Sequence, residues 1–175
     1  KNYTAYMSDV ITAVRGQAVA LTNDVDETFT IEELVKRVDI LMKHELKNAI
    51  IYLNVHMYID SKIIIRGDVN SLVQVINNMI SNAIQAYNGK TEEEINLDFN
   101  IDNNNLIISI EDHANGLPQK VKDKLFKEMI TTKGKNGTGL GLYMSYSTIK
   151  AHFNGNITFE SEEGKGTKFN IILPL

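Results

Sequence analysis

The most constraining feature of the chain is the strongly periodic segment that follows Asp68. Its apolar residues recur at intervals of three and four, which places them on one wide face of an α-helix. Asp68 is a suitable N-cap, and Asn88-Gly89 is a stop signal for the helix. We therefore expect a buried helix here. Its apolar positions are Val69, Leu72, Val73, Ile76, Met79, Ile80, Ala83 and Ile84.

The rest of the chain alternates between helical and extended patterns. Thr30 and Glu33 form a capping box for an earlier helix. Another helix is predicted at about 140–153, and strands at 49–58, 62–66, 94–101, 106–111, 156–161 and 167–173. Helices mixed with hairpin-connected strands predict an α+β fold. We expect a two-layer α/β sandwich, with a mixed, mainly antiparallel sheet covered by about three helices on one face.

An N-terminal helix is predicted at residues 3–21. Its apolar residues follow an alternating four-three spacing, although Gln17 interrupts it. A short coiled-coil seam and an ordinary amphipathic helix explain this pattern equally well. The apolar positions are Tyr3, Met7, Val10, Val14 and Leu21.

The composition excludes several classes of protein. The formal net charge of −4 argues against a nucleic-acid surface, which needs clustered Lys and Arg. The chain has no cysteine, so disulfides and thiolate metal sites are excluded. No apolar run reaches the about 18 residues of a membrane span, and no signal peptide is visible. Because the chain begins at Lys1 rather than Met, we expect it to be a fragment of a longer protein.

Four polar residues interrupt the helix that follows Asp68. They are separated by four, four and three residues, so they lie on one stripe: Gln74, Asn78, Asn82 and Gln85. Asn is a poor helix former, and two on one stripe suggest a specific task. A carboxamide oxygen can ligate Mg²⁺ without repelling nearby phosphates. A solvated polar edge is an equally good explanation from this helix alone.

Asp112 stands at the end of an apolar strand, and a turn containing Gly116 follows. A carboxylate there can accept a hydrogen bond from the exocyclic amine of adenine, whereas guanine presents an oxygen at that position. Gly116 would let the backbone approach a ligand closely. An Asp in an ordinary turn is the common alternative.

Two further segments, both containing glycine, are candidates for contact with a ligand. Gly137-Thr138-Gly139-Leu140-Gly141-Leu142 runs into a helix, so its backbone N–H groups and the helix dipole can face phosphate oxygens. Lys133 and Lys135, just upstream, could reach a triphosphate, although most surface lysines are simply solvated. In Gly164-Lys165-Gly166-Thr167, the Thr hydroxyl could assist Asp112 at the base, or the segment could be a plain hairpin turn.

In their order and separation, these elements resemble the motifs of the GHKL ATPase family. The matching segments are 74–83 for the N box, 112–117 for the G1 box, Leu125-Phe126 with Thr131-Thr132-Lys133 for the F box, 137–142 for the G2 box, and 164–167 for the motif before the last strand. The F-box element points to the catalytic domain of bacterial sensor histidine kinases. The resemblance covers about residues 28–175.

The resemblance implies a site for ATP and Mg²⁺. Asn82 would ligate the Mg²⁺ that bridges the phosphates, with Asn78 close by as a second ligand and catalytic residue. Asp112 would bind the adenine amine with the assistance of Thr167. Residues 118–138 would form a mobile ATP lid, in which Lys133 contacts the γ-phosphate. The other implied nucleotide contacts are Gln85, Gly116, Leu117, Thr132, Gly137, Thr138, Gly139, Leu140, Gly141 and Leu142.

Three positions depart from the family pattern. Ala114 replaces the first glycine of the G1 box, which we do not expect to abolish binding. Gln85 stands where many relatives carry a cation, so a phosphate contact there would be weaker. Ile130 replaces the second aromatic residue of the F box, which would loosen docking of the lid.

The run Lys43-His44-Glu45-Leu46-Lys47-Asn48 resembles a phosphoacceptor H box, but we reject it. It lies only 34 residues before Asn78, and a predicted strand follows at once, whereas an H box needs a long helical hairpin. We therefore expect the acceptor His upstream of Lys1. Residues 1–27 would be the remnant of the second dimerisation helix with its linker, and residues 28–175 the catalytic ATP-binding domain.

The expected function is transfer of the γ-phosphoryl group of ATP to a His outside this chain. The implied partners are the phosphoacceptor-His domain of the same protein, a response regulator and a second copy in a full-length homodimer; no nucleic acid is expected. We expect a cytoplasmic domain, with anchoring of the parent protein in the inner or plasma membrane left open.

Three alternative functions fit the chain less well. An anti-sigma-factor Ser/Thr kinase has the same boxes, but the helix at 3–21 and the Thr-Thr-Lys element disfavour it. A nucleotide-gated clamp needs dimerisation arms and transducer domains, for which 175 residues leave no room. A degenerate kinase that binds partners without turnover is the third, because of Gln85 and Ala114.

Overall fold

The computed structural model describes residues 27–130 and 139–175 and contains seven strands and four helices in that part. The helix predicted at 3–21 lies outside the described residues. In chain order the elements are β1 (Thr28–Thr30), α1 (Ile31–Ala49), β2 (Ile51–Met57), β3 (Ile64–Arg66), α2 (Val69–Ala86), β4 (Glu93–Asp102), β5 (Asn105–Asp112), α3 (Gln119–Ile130), α4 (Gly139–Phe153), β6 (Asn156–Glu162) and β7 (Gly166–Pro174).

Five of the strands form one sheet in the order β2-β4-β5-β7-β6. Strands β2 and β4 are parallel, and the other neighbouring pairs are antiparallel. The parallel pair follows from its connection, because α2 lies between the two strands in the chain and returns it to the same end of the sheet. Strands β1 and β3 form a separate antiparallel pair. The predicted mixed, mainly antiparallel sheet is confirmed.

Three of the described helices pack directly on the sheet. Helix α1 contacts β2, α2 contacts β4 and β5, and α4 contacts β6 and β7, while α2 also packs between α1 and α4. Helix α3 packs against α4. The predicted two-layer α+β architecture is therefore confirmed, and α3 adds a helix over the end of this layer.

The predicted helix starts are also confirmed. Thr30 Oγ1 accepts a hydrogen bond from the backbone N–H of Glu33 at 3.1 Å, and Asp68 Oδ1 accepts one from Asn70 at 3.3 Å. Helix α1 ends where Ile50 takes a left-handed conformation with φ of 56°. The H-box-like run at 43–48 lies near the C-terminal end of α1, and β2 begins directly after it. That position supports its rejection as a phosphoacceptor box.

The sheet presents its apolar side chains to the helices and polar side chains to the other face. Leu106, Ile108 and Ile110 alternate along β5 and are buried. On the opposite face the register brings one polar row across all five strands: His56, Asp98, Ser109, Asn170 and Thr158. The core therefore lies between the sheet and its helical layer. Within the described ranges, none of the helices has the length and apolarity needed to cross a bilayer.

Candidate functional site

A cavity of about 270 Å³ lies between α2, the sheet, and helices α3 and α4. Most of its wall is apolar, with Met79, Ile110, Leu125, Leu142 and Phe169 among the lining residues. Its polar lining residues are Asn82, Gln85, Asp112 and Thr167. The volume is near the lower end of the about 300–1,000 Å³ typical of small-molecule sites. It therefore suits a planar heterocycle with the rest of a ligand extending outside.

Asp112 is the last residue of β5 and is only 5% exposed. Its Oδ1 accepts hydrogen bonds from the backbone N–H of Ala114 at 3.0 Å and of Thr167 at 3.3 Å. Burial raises the pKa of this carboxyl group, and the two N–H donors offset part of the rise. Both bonds fall on Oδ1, and none of residues 27–130 and 139–175 donates a hydrogen bond to Oδ2. It is the oxygen that a ligand in the cavity can use.

Ala114, which replaces the first glycine of the G1 box, fits its position well. It is buried, and its φ is not among the positive values of the described residues. An L-residue therefore adopts this backbone without strain. Its N–H still reaches the carboxylate of Asp112, so this departure leaves the turn intact.

Gly116 and Gly166 are required by the close approach of two backbone segments. Gly116 has a φ of 71°, and a Cβ atom there would lie 2.1 Å from the carbonyl oxygen of Glu162. A Cβ on Gly166, which has a φ of 128°, would lie 2.1 Å from the carbonyl oxygen of Asp112. The turn after Asp112 thus packs directly on the β6–β7 hairpin. The prediction that Gly116 also allows a ligand to approach stays a prediction.

Ser161 connects Thr167 to the turn, and no motif in the sequence marks this residue. The hydroxyl groups of Ser161 and Thr167 are 2.8 Å apart, and Ser161 Oγ accepts a hydrogen bond from the N–H of Leu117 at 2.8 Å. Lys122 Nζ of α3 donates to the carbonyl oxygen of Ser161 at 2.8 Å. Thr167 therefore touches Asp112 through its backbone N–H, while its hydroxyl supports the turn. The assistance of its hydroxyl at the base stays a prediction.

The polar stripe of α2 divides between two environments. Asn82 and Gln85 line the cavity, where the resemblance places nucleotide contacts. Asn78, one turn earlier, donates from Nδ2 to Ser145 Oγ of α4 at 3.1 Å, so its Oδ1 is the atom available to a cation. Nothing in the described ranges groups three or more His, Cys, Asp or Glu residues as a metal site. The amide oxygens of Asn82 and Asn78 are candidate ligands for a cation near this cavity.

The glycine-rich segment leads into the helix that closes the cavity. Gly139, Leu140 and Gly141 form the first turn of α4, and the buried side chain of Leu142 lines the cavity. The N-terminal end of α4, which attracts anions, is thus next to the cavity. Leu117 also lines it. Four further predicted contacts, Thr132, Lys133, Gly137 and Thr138, lie outside the described residues.

Residues 67–175 match the family of histidine kinase-, DNA gyrase B- and HSP90-like ATPases. The match covers more than half of the chain, so the chain belongs to this family. Together with the fold and the cavity, it defines the chain as the ATP-binding catalytic domain of a histidine kinase. The resemblance inferred from the five ordered motifs is confirmed.

Two curated relatives and one solved structure illustrate the similarity. Sporulation kinase C of Bacillus subtilis (strain 168) is 30% identical over 175 residues, which is 100% of this chain and 39% of the relative. Sporulation kinase A of the same strain is 33% identical over 153 residues, 87% of this chain and 24% of the relative. The nucleotide-free catalytic domain of histidine kinase ThkA has a TM-score of 0.69 at 25% identity, covering 85% of this chain and 94% of that one. The chain spans well under half the length of these two curated relatives.

Proposed function

We propose that the chain holds ATP with its adenine in the cavity, and that the parent protein transfers the γ-phosphoryl group to a His outside this chain. The observation that carries the proposal is Asp112, a buried carboxylate with one oxygen engaged by two backbone N–H groups and the other left for a ligand. It stands in a largely apolar cavity in a chain of the histidine kinase ATPase family.

The carboxylate suits adenine in particular. The exocyclic amine of adenine donates a hydrogen bond to Oδ2 of Asp112, and the ring packs against apolar side chains such as Met79 and Leu142. Guanine has a carbonyl oxygen in place of that amine, which would face the charged oxygen without a proton between them. The site therefore prefers ATP to GTP because adenine has an amine, and guanine a carbonyl oxygen, at the position that faces Asp112.

The triphosphate would extend toward the N-terminal end of α4. The free N–H groups of its first turn and the helix dipole favour negative charge there. We also propose that Gly137, Thr138, Thr132 and Lys133, which precede this helix, contribute phosphate contacts. Lys133 would neutralise charge at the γ-phosphate, and Gly139, Leu140 and Gly141 would present backbone N–H groups.

The amide groups of α2 fit a Mg²⁺ ion bound mainly by phosphate oxygens and water. Mg²⁺ takes few protein ligands in phosphate sites, so the oxygens of Asn82 and Asn78 suffice without a carboxylate cluster. When bound, Mg²⁺ would supply charge neutralisation at the phosphates. Asn82 and Asn78 would hold the ion, Ser145 would orient Asn78 through their hydrogen bond, and Gln85 lines the cavity with Asn82.

Catalysis by this chain would consist of positioning. Phosphoryl transfer asks little covalent chemistry of the protein, so holding the γ-phosphate in line with the attacking imidazole and neutralising its charge are the main contributions. Asp112 and the apolar cavity fix the base, and the start of α4 fixes the phosphates. Asn78 and Lys133 would act nearest the transferred group.

We assign residues 28–175 to this domain and residues 1–27 to the remnant of a helical acceptor domain with its linker. Buried Ile31, Leu34, Val38 and Met42 of α1 belong to the same core cluster as α2 and the sheet, which supports the first boundary. The phosphoacceptor-His domain, a response regulator and a second copy of the parent are the proposed partners. The domain would act in the cytoplasm.

Calorimetric titration tests nucleotide binding directly. The chain is titrated with Mg–ATP and Mg–GTP, and we expect binding of ATP and a clear preference over GTP. Asn82→Ala should weaken Mg–ATP while leaving metal-free ADP nearly unchanged, and Asn48→Ala on the exposed surface of α1 is the control. A chain that binds neither nucleotide would refute the proposal and favour a degenerate kinase.

Incubation with γ-labelled ATP tests the position of the acceptor. We expect no stable phosphate on this chain alone, and labelling of a helical acceptor domain of the parent protein when it is added. His44 is exposed and hydrogen-bonded to Asn48 on α1. Acid-labile phosphate on His44, lost in His44→Gln, would move the acceptor into this chain.

A further inference from the structure

Tyr87 directly follows α2 and is almost fully buried, at 2% exposure. Its hydroxyl group joins a backbone group of β4 to one that directly follows β5. It donates a hydrogen bond to the carbonyl oxygen of Glu94 and accepts one from the N–H of His113 at 2.8 Å. Tyr87 does not line the cavity, so its contact with the site is indirect.

These two hydrogen bonds take the place of a direct backbone pair between β4 and β5. Strands β4 and β5 pair as far as Ile95 and Asp112, and the next step of that register would set Glu94 opposite His113. The carbonyl and N–H groups of this next pair are joined through the Tyr87 hydroxyl instead of directly. Strand β4 continues to Glu93 along β2, whereas β5 stops at Asp112. Tyr87 thus fixes the point at which the chain leaves the sheet.

That point determines the position of the carboxylate. The N–H of His113 belongs to the peptide group that follows Asp112, so the bond to Tyr87 fixes the backbone on one side of this residue. The next N–H, of Ala114, then turns back to Asp112 Oδ1. We propose that Tyr87 is a positioning residue that holds Asp112 in place for the amine of adenine. This inference rests on the proposed function and names a further determinant of its base specificity.

The hydroxyl is suited to this role because it can donate and accept at once. Burial raises the pKa of Tyr87, so the group stays protonated at neutral pH and keeps its bond to Glu94. Without the hydroxyl, two partly buried backbone groups lose their partner. The strands can then close by one residue, which would rotate the peptide after Asp112.

The test uses Tyr87→Phe, which keeps the ring and removes only the hydroxyl. Binding of ATP is compared by calorimetry with binding of purine riboside triphosphate, which has hydrogen in place of the 6-amino group. We expect the wild-type chain to prefer ATP by about 10–100-fold, the loss typical of one hydrogen bond to a charged group. Tyr87→Phe should reduce this preference by about fivefold or more, while affinity for the analogue changes by less than about twofold. Tyr52→Phe on β2, with the side chain 54% exposed, is the matched control.

A second variant removes the backbone N–H that donates to the Tyr87 hydroxyl and leaves the buried side chain of Tyr87 in place. His113→Pro deletes the N–H that Tyr87 accepts; His113 is exposed, and Asp112 before it has the extended backbone that a following Pro favours. The same selective loss of ATP preference is expected. Retained preference in both folded variants, or equal weakening of both nucleotides, would overturn the positioning role. A wild-type chain that binds both nucleotides equally would instead refute the contact between Asp112 and the adenine amine, and this inference with it.

Discussion

Asp112 and Thr167 are register partners on the central strands β5 and β7, and the backbone N–H of Thr167 donates to Asp112 Oδ1 at 3.3 Å. The carboxylate is therefore fixed by main-chain pairing inside the sheet. The proposed specificity for a base would thus depend on a residue that is held by strand pairing. Substitutions at Asp112 should accordingly change which base binds more than whether the chain folds.

Replacement of Asp112 by Asn should reverse the choice of base. The Asn Oδ1 can still accept from Ala114 and Thr167, but an NH2 donor replaces Oδ2. That donor would face the donor amine of adenine and could bond a 6-oxo purine. We expect calorimetry to show a loss of about 10–100-fold in ATP affinity and a gain for inosine triphosphate. Asp98→Asn on the polar face of the sheet is the control, and an unchanged ratio of the two affinities would contradict the assignment.

Affinity for ATP should fall as the pH falls through the raised pKa of Asp112. The ionised carboxylate accepts the amine, so the ligand binds the charged form and proton uptake opposes binding. The folding stability of the ligand-free chain depends on pH in the opposite direction. The pKa of Asp112 is higher in the folded chain than in the unfolded chain, so the stability that this group contributes is lost as the pH rises through the folded pKa. Titrations between about pH 7 and about pH 4.5 would measure the ratio of wild-type to Asp112→Asn affinity. A ratio independent of pH would show that Asp112 does not contact the base in its ionised form.

Features that depend on nearby residues could be predicted from the sequence. The Thr30–Glu33 capping box and the Asp68 cap each involve residues within one turn, and both were confirmed. Asn103 lies between the strands predicted at 94–101 and 106–111, and Asn154 directly follows the helix predicted at 140–153. Both take positive φ values, as their side chains readily allow. The order of such local signals was enough to define the class of fold.

Contacts between distant segments could not be predicted in the same way. Tyr87 and His113 are 26 positions apart, and Asn78 and Ser145 are 67 apart. Their pairing depends on strand register and helix packing, which no local spacing reveals. The polar stripe of α2 was therefore predicted as one unit, although Asn82 lines the cavity and Asn78 is bonded to α4.

Replacement of Gly116 by Ala should destabilise the fold far more than the same change at Gly164. Both glycines have positive φ, but a Cβ atom at Gly116 would lie 2.1 Å from Glu162 O, whereas none of the described atoms lies within 4 Å at Gly164. Gly164→Ala should cost about 1–2 kcal/mol from backbone strain alone. Gly116→Ala should cost about 1–3 kcal/mol more, because the backbone has to move apart. Denaturant unfolding measures both, and equal costs would mean that the turn and hairpin are not in contact.

Removal of the Ser161 hydroxyl should loosen the turn after Asp112 without disturbing the sheet. Ser161→Ala leaves the N–H of Leu117 without its acceptor and the Thr167 hydroxyl without its partner. Ser109→Ala is the matched control, because it removes a hydroxyl that bonds Asn170 on the polar face of the sheet. We expect each variant to lose about 1 kcal/mol of unfolding free energy.

The two serine variants should differ in hydrogen exchange and in nucleotide binding. Only Ser161→Ala should speed exchange at the Leu117 amide, because this bond closes the turn locally. Leu117 and Val121 line the cavity, so ATP affinity should also fall, by about threefold, in Ser161→Ala and not in Ser109→Ala. If the exchange rate of the Leu117 amide and the affinity for ATP are the same in Ser161→Ala as in Ser109→Ala, then Lys122 and the packing of Gly116 hold the turn without Ser161.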